Sequence, residues 1–439
     1  MTTNVRYGEA NRKPADKRSN VRFRVFGALW IIILLNYIDR ATLSIALPFI
    51  SEDLHITPEA KGWILGTFFW TYLLFQIPGG WLLDKFGPRK IISYAGALWG
   101  IAQACIGLIH SPMGMGGLRL ALGAFEAPCA PAGSKLNANW LPSSERARGA
   151  TFIDMAGSFG TAVGGVIVTA VIGIFGSWRW AFIVTGCLTV GVAVIYHFYV
   201  RDLPEEHSGV NAAELEHIRQ ETQEQEIADN KGPLPRVADY LKSSSFLGLW
   251  FGRLGWALVW WGVISWSPSY LRDELGFNLA TLGWSTFVIY GMGVVGQLVA
   301  GSLADWGRAK FNDYNKVMKV LLAVSGLGML VCMFCLLGAH NGYVAILILS
   351  LAVFFINFGG LYWAIPAWLA PKKHVGTVGG AMNIASSLGG AIAPVVMGYF
   401  VAWTGGYSGA FIFLVVCAAV YLVGSMVINF RKPLAKVKA

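Results

Sequence analysis

Five ionisable side chains stand where such groups are costly. Asp39 and Arg40 sit side by side in "LLNYIDRATLS", inside the apolar run Phe23 to Ile50. Arg119 and Glu126 lie in a second apolar run, seven residues apart. On a helix that spacing puts both on one face, about 10 Å apart along the axis. Arg253 sits in a third run, "FGRLGWALVWWGVISW". A lone charge at the centre of a bilayer costs between about 2.5 and 17 kcal/mol, depending on the method. If these runs cross a membrane, the charges must face something polar. Arginine stays protonated under working conditions, whereas a desolvated carboxylate takes up a proton near neutral pH. A fixed cation beside a titratable acid is what moving an anion together with a proton requires.

Roles follow from that chemistry. Arg40 is assigned to a substrate carboxylate, whose two oxygens its planar fork can bind together. Glu126 and Asp39 are the expected proton carriers, with Arg119 as their counter-ion. The competing reading is a permanent salt-bridge network that only holds the first and fourth helices together. Asn36, one turn before Arg40, should share its face.

The elements that hold these residues follow from composition. The chain has 439 residues, 55% hydrophobic and 13% charged, against roughly 25% charged in a globular protein. A membrane-crossing helix needs about 20 apolar residues. Twelve runs qualify: about 23–50, 62–83, 91–110, 113–136, 147–174, 178–200, 246–271, 281–303, 316–338, 342–369, 376–402 and 407–430. The expected fold is therefore an all-α integral membrane protein of twelve transmembrane helices in two six-helix bundles. The first run is too long for a signal peptide's apolar core and reads as a retained helix.

The net charge of +10 does not point to nucleic acid, because its distribution alternates with the spans. Arg6, Arg12, Lys13, Lys17, Arg18, Arg22 and Arg24 precede or open the first span. Lys85, Arg89, Lys90, Arg146, Arg148, Arg308, Lys310, Lys316, Lys319, Lys372, Lys373, Arg431, Lys432, Lys436 and Lys438 fall on the same side. The other side has mainly Lys61, Arg179 and Arg272. By the positive-inside rule both termini are cytoplasmic, and the expected location is the cell inner membrane. The expected units are a basic tail 1–22, a bundle 23–200, a cytoplasmic linker 201–245, a bundle 246–430 and a tail 431–439. The linker centre, "NAAELEHIRQETQEQEIADN", reads as a short charged surface helix with solvent on most sides.

Other chemistries find no equipment. Cys332 and Cys335 form a CxxC without a second pair or nearby His, and the six Cys read as small buried apolar side chains. All seven His fall in loops or near span ends, and no GxxxxGK[ST] motif is present. No cofactor and no metal are expected.

After the second span the chain reads "GGWLLDKFGPRK", with Gly80, Asp84, Lys85, Gly87, Arg89 and Lys90 in fixed spacing. Gly80 would allow close helix approach, Gly87 a tight turn, and Asp84 would accept from a basic residue or a helix end. A weaker echo, "GSLADWGRAK" with Gly301, Asp305, Gly307 and Arg308, follows the eighth span. The pattern resembles the cytoplasmic signature of the major facilitator superfamily, where this loop latches the two halves in one conformation. "NYIDRATLSIALP", "TYLLFQIPGGWLLDKFG" and "RLALGAFEAPCAPAG" resemble that superfamily's anion:cation symporter branch. That branch includes bacterial galactonate, glucarate and hexuronate importers and phthalate-type permeases. The resemblance implies proton-coupled import of an organic carboxylate by alternating access, without enzyme activity. It also implies the roles given above for Arg40, Glu126, Asp39 and Arg119, and places Tyr37, Tyr72, Trp363 and Asn383 at the central cavity.

The chain departs from sugar-acid relatives at several positions. Arg253 stands where they carry a glutamine; it either supplies a second cation to the cavity or snorkels to the interface. Trp256, Trp260 and Trp261 follow it, and Tyr362 adjoins Trp363. Asp154 and Gly157 replace amide-bearing positions, and Asp154 could pair with Arg253. More cations, more rings and fewer amides point to an aromatic acid or a phthalate-like dicarboxylate. A sugar-acid symporter is the alternative, as is an antiporter of organic anion, phosphate or drug. The partners expected are a small organic anion, protons and lipid, with the chain acting as a monomer.

Overall fold

A computed structural model describes residues 17–219, 237–311, 313–371 and 374–434. Expected cations at Arg6, Arg12, Lys13, Lys372, Lys373, Lys436 and Lys438, and the linker from residue 220 to 236, lie outside the described residues. Within them the chain is helical, without strands. The first half comprises α1 (Val21–Leu54), α2 (Pro58–Phe86), α3 (Pro88–Ile106), α4 (Pro112–Glu126), α5 (Cys129–Trp140), α6 (Ser143–Phe175) and α7 (Trp178–Tyr199). The second comprises α8 (Ser244–Ser269), α9 (Leu279–Lys310), α10 (Tyr314–Cys335), α11 (Gly342–Asn357), α12 (Ile365–Leu369), α13 (Val375–Thr404) and α14 (Ser408–Val427). Nine stretches among the described residues are long and apolar enough to cross a bilayer on those criteria alone. With α2, α3 and the α4–α5 pair, the spans number twelve, as the sequence predicts.

Two spans expected to be continuous are broken. The run 113–136 is interrupted after Glu126, where Pro128 has no N–H to continue the ladder. The run 342–369 passes through a tighter 3-10 segment, Phe358–Ala364, which contains Gly359 and Gly360 and precedes Pro366. Irregular backbone at membrane depth is tolerated where it is enclosed by protein or lines a cavity, and in transporters such breaks mark binding sites.

Between the halves, α2 packs on α13 and α6 on α9. Counted by span these are contacts 2–11 and 5–8, and a shift of six spans turns one into the other. The halves thus meet with two-fold symmetry. Glycines set the approach: a Cβ on Gly62 would stand 2.6 Å from the Pro394 carbonyl oxygen, and one on Gly165 2.6 Å from Thr286. Lys61, expected in a loop, is buried in α2 and reaches Asp273 at 3.3 Å. Arg272 holds Glu52 at 2.7 Å. Both inter-half ion pairs among the described residues therefore sit at the end where α1 stops and α2 begins, and they hold the halves together there.

The linker is anchored more firmly than the expected solvated helix. Residues 212–219 are helical, and Glu214 and Ile218 are buried. Glu214 accepts from the backbone N–H groups of Val21 at 3.0 Å and Arg22 at 3.2 Å, capping α1 from outside. Arg22 donates to Glu214 at 3.0 Å and to Glu145 at 2.9 Å. Burial alone would raise the Glu214 carboxyl, but bonds from Ser19 and Arg22 outweigh it and hold it below its ordinary value. Arg22 likewise lowers Glu145. Because both folded values are depressed, the docking stability is complete above the unfolded carboxylate range, near about 4.3. It fades as pH falls through the folded values. Glu214→Ala is expected to cost on the order of 3 kcal/mol, since it leaves buried donors unpaired. The check is a lower unfolding temperature together with faster proteolysis of the linker at neutral pH.

Of the cysteines, Cys129, Cys332 and Cys417 are buried as expected, but Cys187 and Cys335 are exposed on outer helix faces. Among the described residues no group of three His, Cys, Asp or Glu could hold a metal ion.

Candidate functional site

The guanidinium of Arg40 projects from α1 toward the plane between the halves. Its Nε and Nη2 donate to Glu126 Oε2, at 3.2 and 3.0 Å, so the last residue of α4 is its partner. Rings enclose the cation: Phe68 at 4.7 Å, Tyr72 at 5.1 Å, Tyr37 at 5.2 Å and Trp261 at 5.4 Å from its carbon. Trp261 comes from the second half and packs on Phe69 at 4.5 Å. Aromatic faces stabilise a desolvated cation without consuming its hydrogen-bond donors. Tyr37 can lie flat here because Gly157 has no Cβ, which would stand 3.1 Å from the ring.

Three buried polar atoms of this cluster are unpartnered: Glu126 Oε1, Asn36 Nδ2 and Arg119 Nε. Buried polar groups are almost always paired, so each such atom needs an explanation. Arg119 shares the α4 face with Glu126 as its spacing predicts, yet it makes no ion pair among the described residues. Its guanidinium lies 4.8 Å from the Phe68 ring and senses Glu126 and Arg40 through space. The pairing therefore differs from expectation. Arg40, not Arg119, holds the Glu126 carboxylate.

Asp39 points elsewhere. Adjacent helix residues diverge by about 100°, and Asp39 faces inward to α7, where Oδ2 accepts from Thr189 at 3.0 Å. Its Oδ1 is buried and unpartnered. Gln103 of α3 donates to the Asp39 carbonyl and to Thr185, both at 3.3 Å. The two acids thus have different partners, Glu126 the Arg40 guanidinium and Asp39 the Thr189 hydroxyl.

A second cluster surrounds Arg253, which is 3% exposed and so does not snorkel. Its Nε donates to Ser386 Oγ of α13 at 2.7 Å, its plane lies over Trp256 (3.9 Å) and Trp363 (4.7 Å), and Nη1 is unpartnered. Asp154 does not pair with it. Instead Asp154 accepts from Gln297 of α9 at 2.7 Å, across the two halves. Beside them Ser158 donates to Asn357 at 2.8 Å, again across the halves. Trp261 follows Arg253 by eight residues, so the two clusters lie about 12 Å apart along α8. Tyr37 lies beside Arg40 and packs on Gly157, three residues after Asp154 on α6, and so adjoins both clusters.

Sequence reasoning missed Gln297, Asn357, Ser158 and Ser386. The amides in "GMGVVGQLVAG" and "FFINFGG" were a usable signal, because an amide inside an apolar run is as conspicuous as a charge. Three expected residues stand in supporting positions. Trp260 stacks on Trp256 at 5.8 Å and meets Tyr290 edge-on. Tyr362 is fully buried and its hydroxyl bonds Ser425 of α14 at 2.7 Å, behind Arg253 in the second half. Asn383, half-buried, lies one turn before Ser386 on α13.

At the expected latch the bonds of Asp84 and Arg89 stay within the first half and do not join the two halves. Asp84 accepts from Lys135 of α5 at 2.8 Å, and the same ammonium reaches the Leu83 carbonyl at 2.9 Å. Gly87 adopts φ +83° and its missing side chain makes room for the Asp202 carboxylate, which accepts from the Arg89 N–H at 2.7 Å. Lys85 lies over the Trp81 ring, and Lys90 is exposed. Gly80 departs from expectation: a Cβ there meets nothing within 4 Å, and its neighbour Gly79 makes the close approach, to Pro128. In the second half α9 runs unbroken through Gly301, Asp305 and Gly307 to Lys310, so the echo in sequence is not an echo in conformation.

Comparison with known proteins agrees with this geometry. A Major Facilitator Superfamily profile matches residues 29–394. The chain is 31% identical to a probable sulfoacetate transporter of Cupriavidus necator, over 96% of each chain. It is 29% identical to a probable galactarate/D-glucarate transporter of Escherichia coli, over 94% of each. To a D-galactonate transporter of Escherichia coli it is 31% identical, over 94% of this chain and 96% of the other. A crystal structure of a bacterial homolog of the human lysosomal transporter Spinster, inward-facing and occupied, superposes with TM-score 0.73 at 17% identity, over 95% of this chain and 97% of that one. That last likeness is one of fold alone. With twelve spans in two halves, charges gathered at their interface and a superfamily profile along most of its length, the chain belongs to the Major Facilitator Superfamily of membrane transporters.

Proposed function

We propose that this chain is a proton-coupled symporter that imports a small organic acid anion by alternating access. One observation carries the reading: the Glu126 carboxylate occupies the Arg40 fork that a substrate carboxylate needs. The two anions compete for one cation. A proton on Glu126 removes its charge, frees the fork and admits the substrate; the unpartnered Oε1 offers the place for that proton. Loss of the proton on the other side restores the internal pair and expels the anion. Arg119 holds the local charge balance, and Asp39 is a second carrier. Uptake into proteoliposomes tests the coupling: it collapses when the pH gradient is dissipated, and unchanged uptake would end the proposal.

Arg253 extends the reading to a dianion. Its unpartnered Nη1 is a second cationic donor from the opposite half, about two turns along α8 from the Arg40 cluster. A substrate bridging Arg40 and Arg253 ties the halves together. Two of the relatives bear names of acids with two ionisable groups, sulfoacetate and galactarate/D-glucarate. The unpartnered amide atoms of Asn36 and Gln297 favour a hydroxylated diacid over the aromatic one that Gly157 and Arg253 suggest. Tyr37, Tyr72, Trp256 and Trp363 supply the flat walls in either case. Arg253→Gln is expected to weaken binding of a dianion at least tenfold while changing that of a matched monoanion less than threefold, about 1.4 kcal/mol per tenfold. A thermal-shift titration with glucarate, sulfoacetate, phthalate and galactonate measures it.

In this reading residues 23–200 and 246–430 rock as two bodies joined by the 201–245 linker, with both termini in the cytoplasm of an inner-membrane monomer. The end with the Lys61–Asp273 and Arg272–Glu52 pairs then faces outward, and the Asp84–Lys135 pair lies on the cytoplasmic side. Exchange of an organic phosphate would also use paired arginines, but it leaves the Glu126–Arg40 pair without a purpose.

A further inference from the structure

The end of the second half that carries the α14 C-terminus holds a pocket unconnected with the transport site. It is an open surface depression of about 420 Å³ between the start of α10 and the end of α14, with Lys316, Lys319, Arg431, Asp313 and Asn315 along its rim. Asp313 accepts from Arg431 and caps α10 through the Lys316 N–H. Lys319 donates to the Met426 carbonyl at 2.9 Å, and Asn315 accepts from the Phe430 N–H at 2.9 Å. The Lys316 ammonium makes no ion pair among the described residues. Three cations thus converge on one concavity that contains a single carboxylate.

What lies beneath the rim identifies the occupant. The pocket wall continues into Val320 and Ala323. From there an exposed apolar stripe runs down α10 through Val320 (52% exposed), Val324, Leu327 and Val331. On α14 Val427, Val423, Val420 and Val416 are exposed likewise, and Met426 joins Val320 and Ala323 in the depression. The two helices close on each other at Gly326, where a Cβ would stand 2.9 Å from Leu422. From Val320 to Val331 the stripe covers about 16 Å, close to one leaflet of a hydrocarbon core about 30 Å thick. A cationic rim at the membrane surface above an apolar stripe of that length fits an anionic phospholipid. Free phosphate or a soluble anion would use the rim and leave the stripe uncovered.

We propose that the depression between α10 and α14 is a binding site for an anionic phospholipid, its phosphate held by Lys316, Lys319 and Arg431 and one acyl chain running from Val320, Ala323 and Met426 along the exposed apolar residues of α10. Basic pockets between transmembrane helices on the cytoplasmic side are suited to such headgroups. The site is separate from Arg40, Glu126 and Arg253, so it stands or falls independently of the substrate.

The test uses the full-length protein purified in detergent and incubated with cardiolipin, phosphatidylglycerol, phosphatidylcholine or inorganic phosphate. Native mass spectrometry reads retained lipid, and thermal unfolding reads stabilisation. The anionic lipids are expected to be retained at least fivefold more than phosphatidylcholine and to raise the unfolding temperature, while inorganic phosphate does neither. Lys316→Gln, which removes no internal contact, is expected to lower retention about threefold, and Lys316→Gln with Arg431→Gln to abolish the preference. Equal retention of phosphatidylcholine, equal stabilisation by inorganic phosphate, or an unchanged preference in Lys316→Gln would overturn the proposal.

Discussion

Glu126→Gln abolishes accumulation driven by a pH gradient and leaves counterflow exchange within a few-fold of wild type: that is the expected result of the most informative single substitution. Glutamine keeps the size and one acceptor oxygen of Glu126, but it neither binds nor releases a proton. Arg40 then has a neutral partner throughout the cycle, as it has in the wild type only when Glu126 is protonated. The substrate enters, the halves rock, and the substrate leaves by exchange, but a proton gradient no longer acts on the empty carrier. The internal-to-external concentration ratio falls to about one. Accumulation at the wild-type level in this variant would remove Glu126 from the mechanism.

The second large effect is expected at Arg40. Arg40→Ala removes the group that both the internal and the incoming carboxylates use, and with it the centre of the ring cage formed by Phe68, Tyr72, Tyr37 and Trp261. A buried hydrogen-bonded charge pair loses about 2–5 kcal/mol or more when one partner is truncated, so binding weakens by about thirtyfold or beyond. The Glu126 carboxylate, fully buried, is left without its pair. Arg40→Lys separates charge from geometry: the cation remains, but the fork that grips both oxygens does not. Binding intermediate between wild type and Arg40→Ala is expected there. Isothermal titration checks the series, and high-affinity binding by Arg40→Ala would refute the role assigned to this residue.

Much of this was legible before any coordinates. The length and charge pattern of the apolar runs fix the spans, because hydrocarbon admits only helices satisfied within themselves. The charged residues in them announced the site, because such groups are too costly to keep in lipid without a use. What was not legible is how those groups pair. Arg119 and Glu126 share a face, and nothing in one helix's spacing says that Arg40, eighty-six residues away, is the nearer cation. The rotation of α1 that sends Arg40 to the half interface and Asp39 toward Thr189 is likewise set by packing against α7. Gly80 shows the same limit at the latch. The motif marks where a small residue stands, whereas the register of α2 against Pro128 assigns the close contact to Gly79. From sequence Asp154 can pair with Arg253, and only the inter-half contact of α6 with α9 gives it to Gln297.

The competition between Glu126 and substrate for one guanidinium has a direct thermodynamic signature. Substrate binding measured by calorimetry at neutral pH, in buffers of different ionisation enthalpy, counts the protons that accompany the anion. Wild type is expected to take up about one proton per substrate bound and Glu126→Gln none. Equal heats in all buffers for the wild type, with binding intact, would show that the anion reaches Arg40 without displacing a charged Glu126.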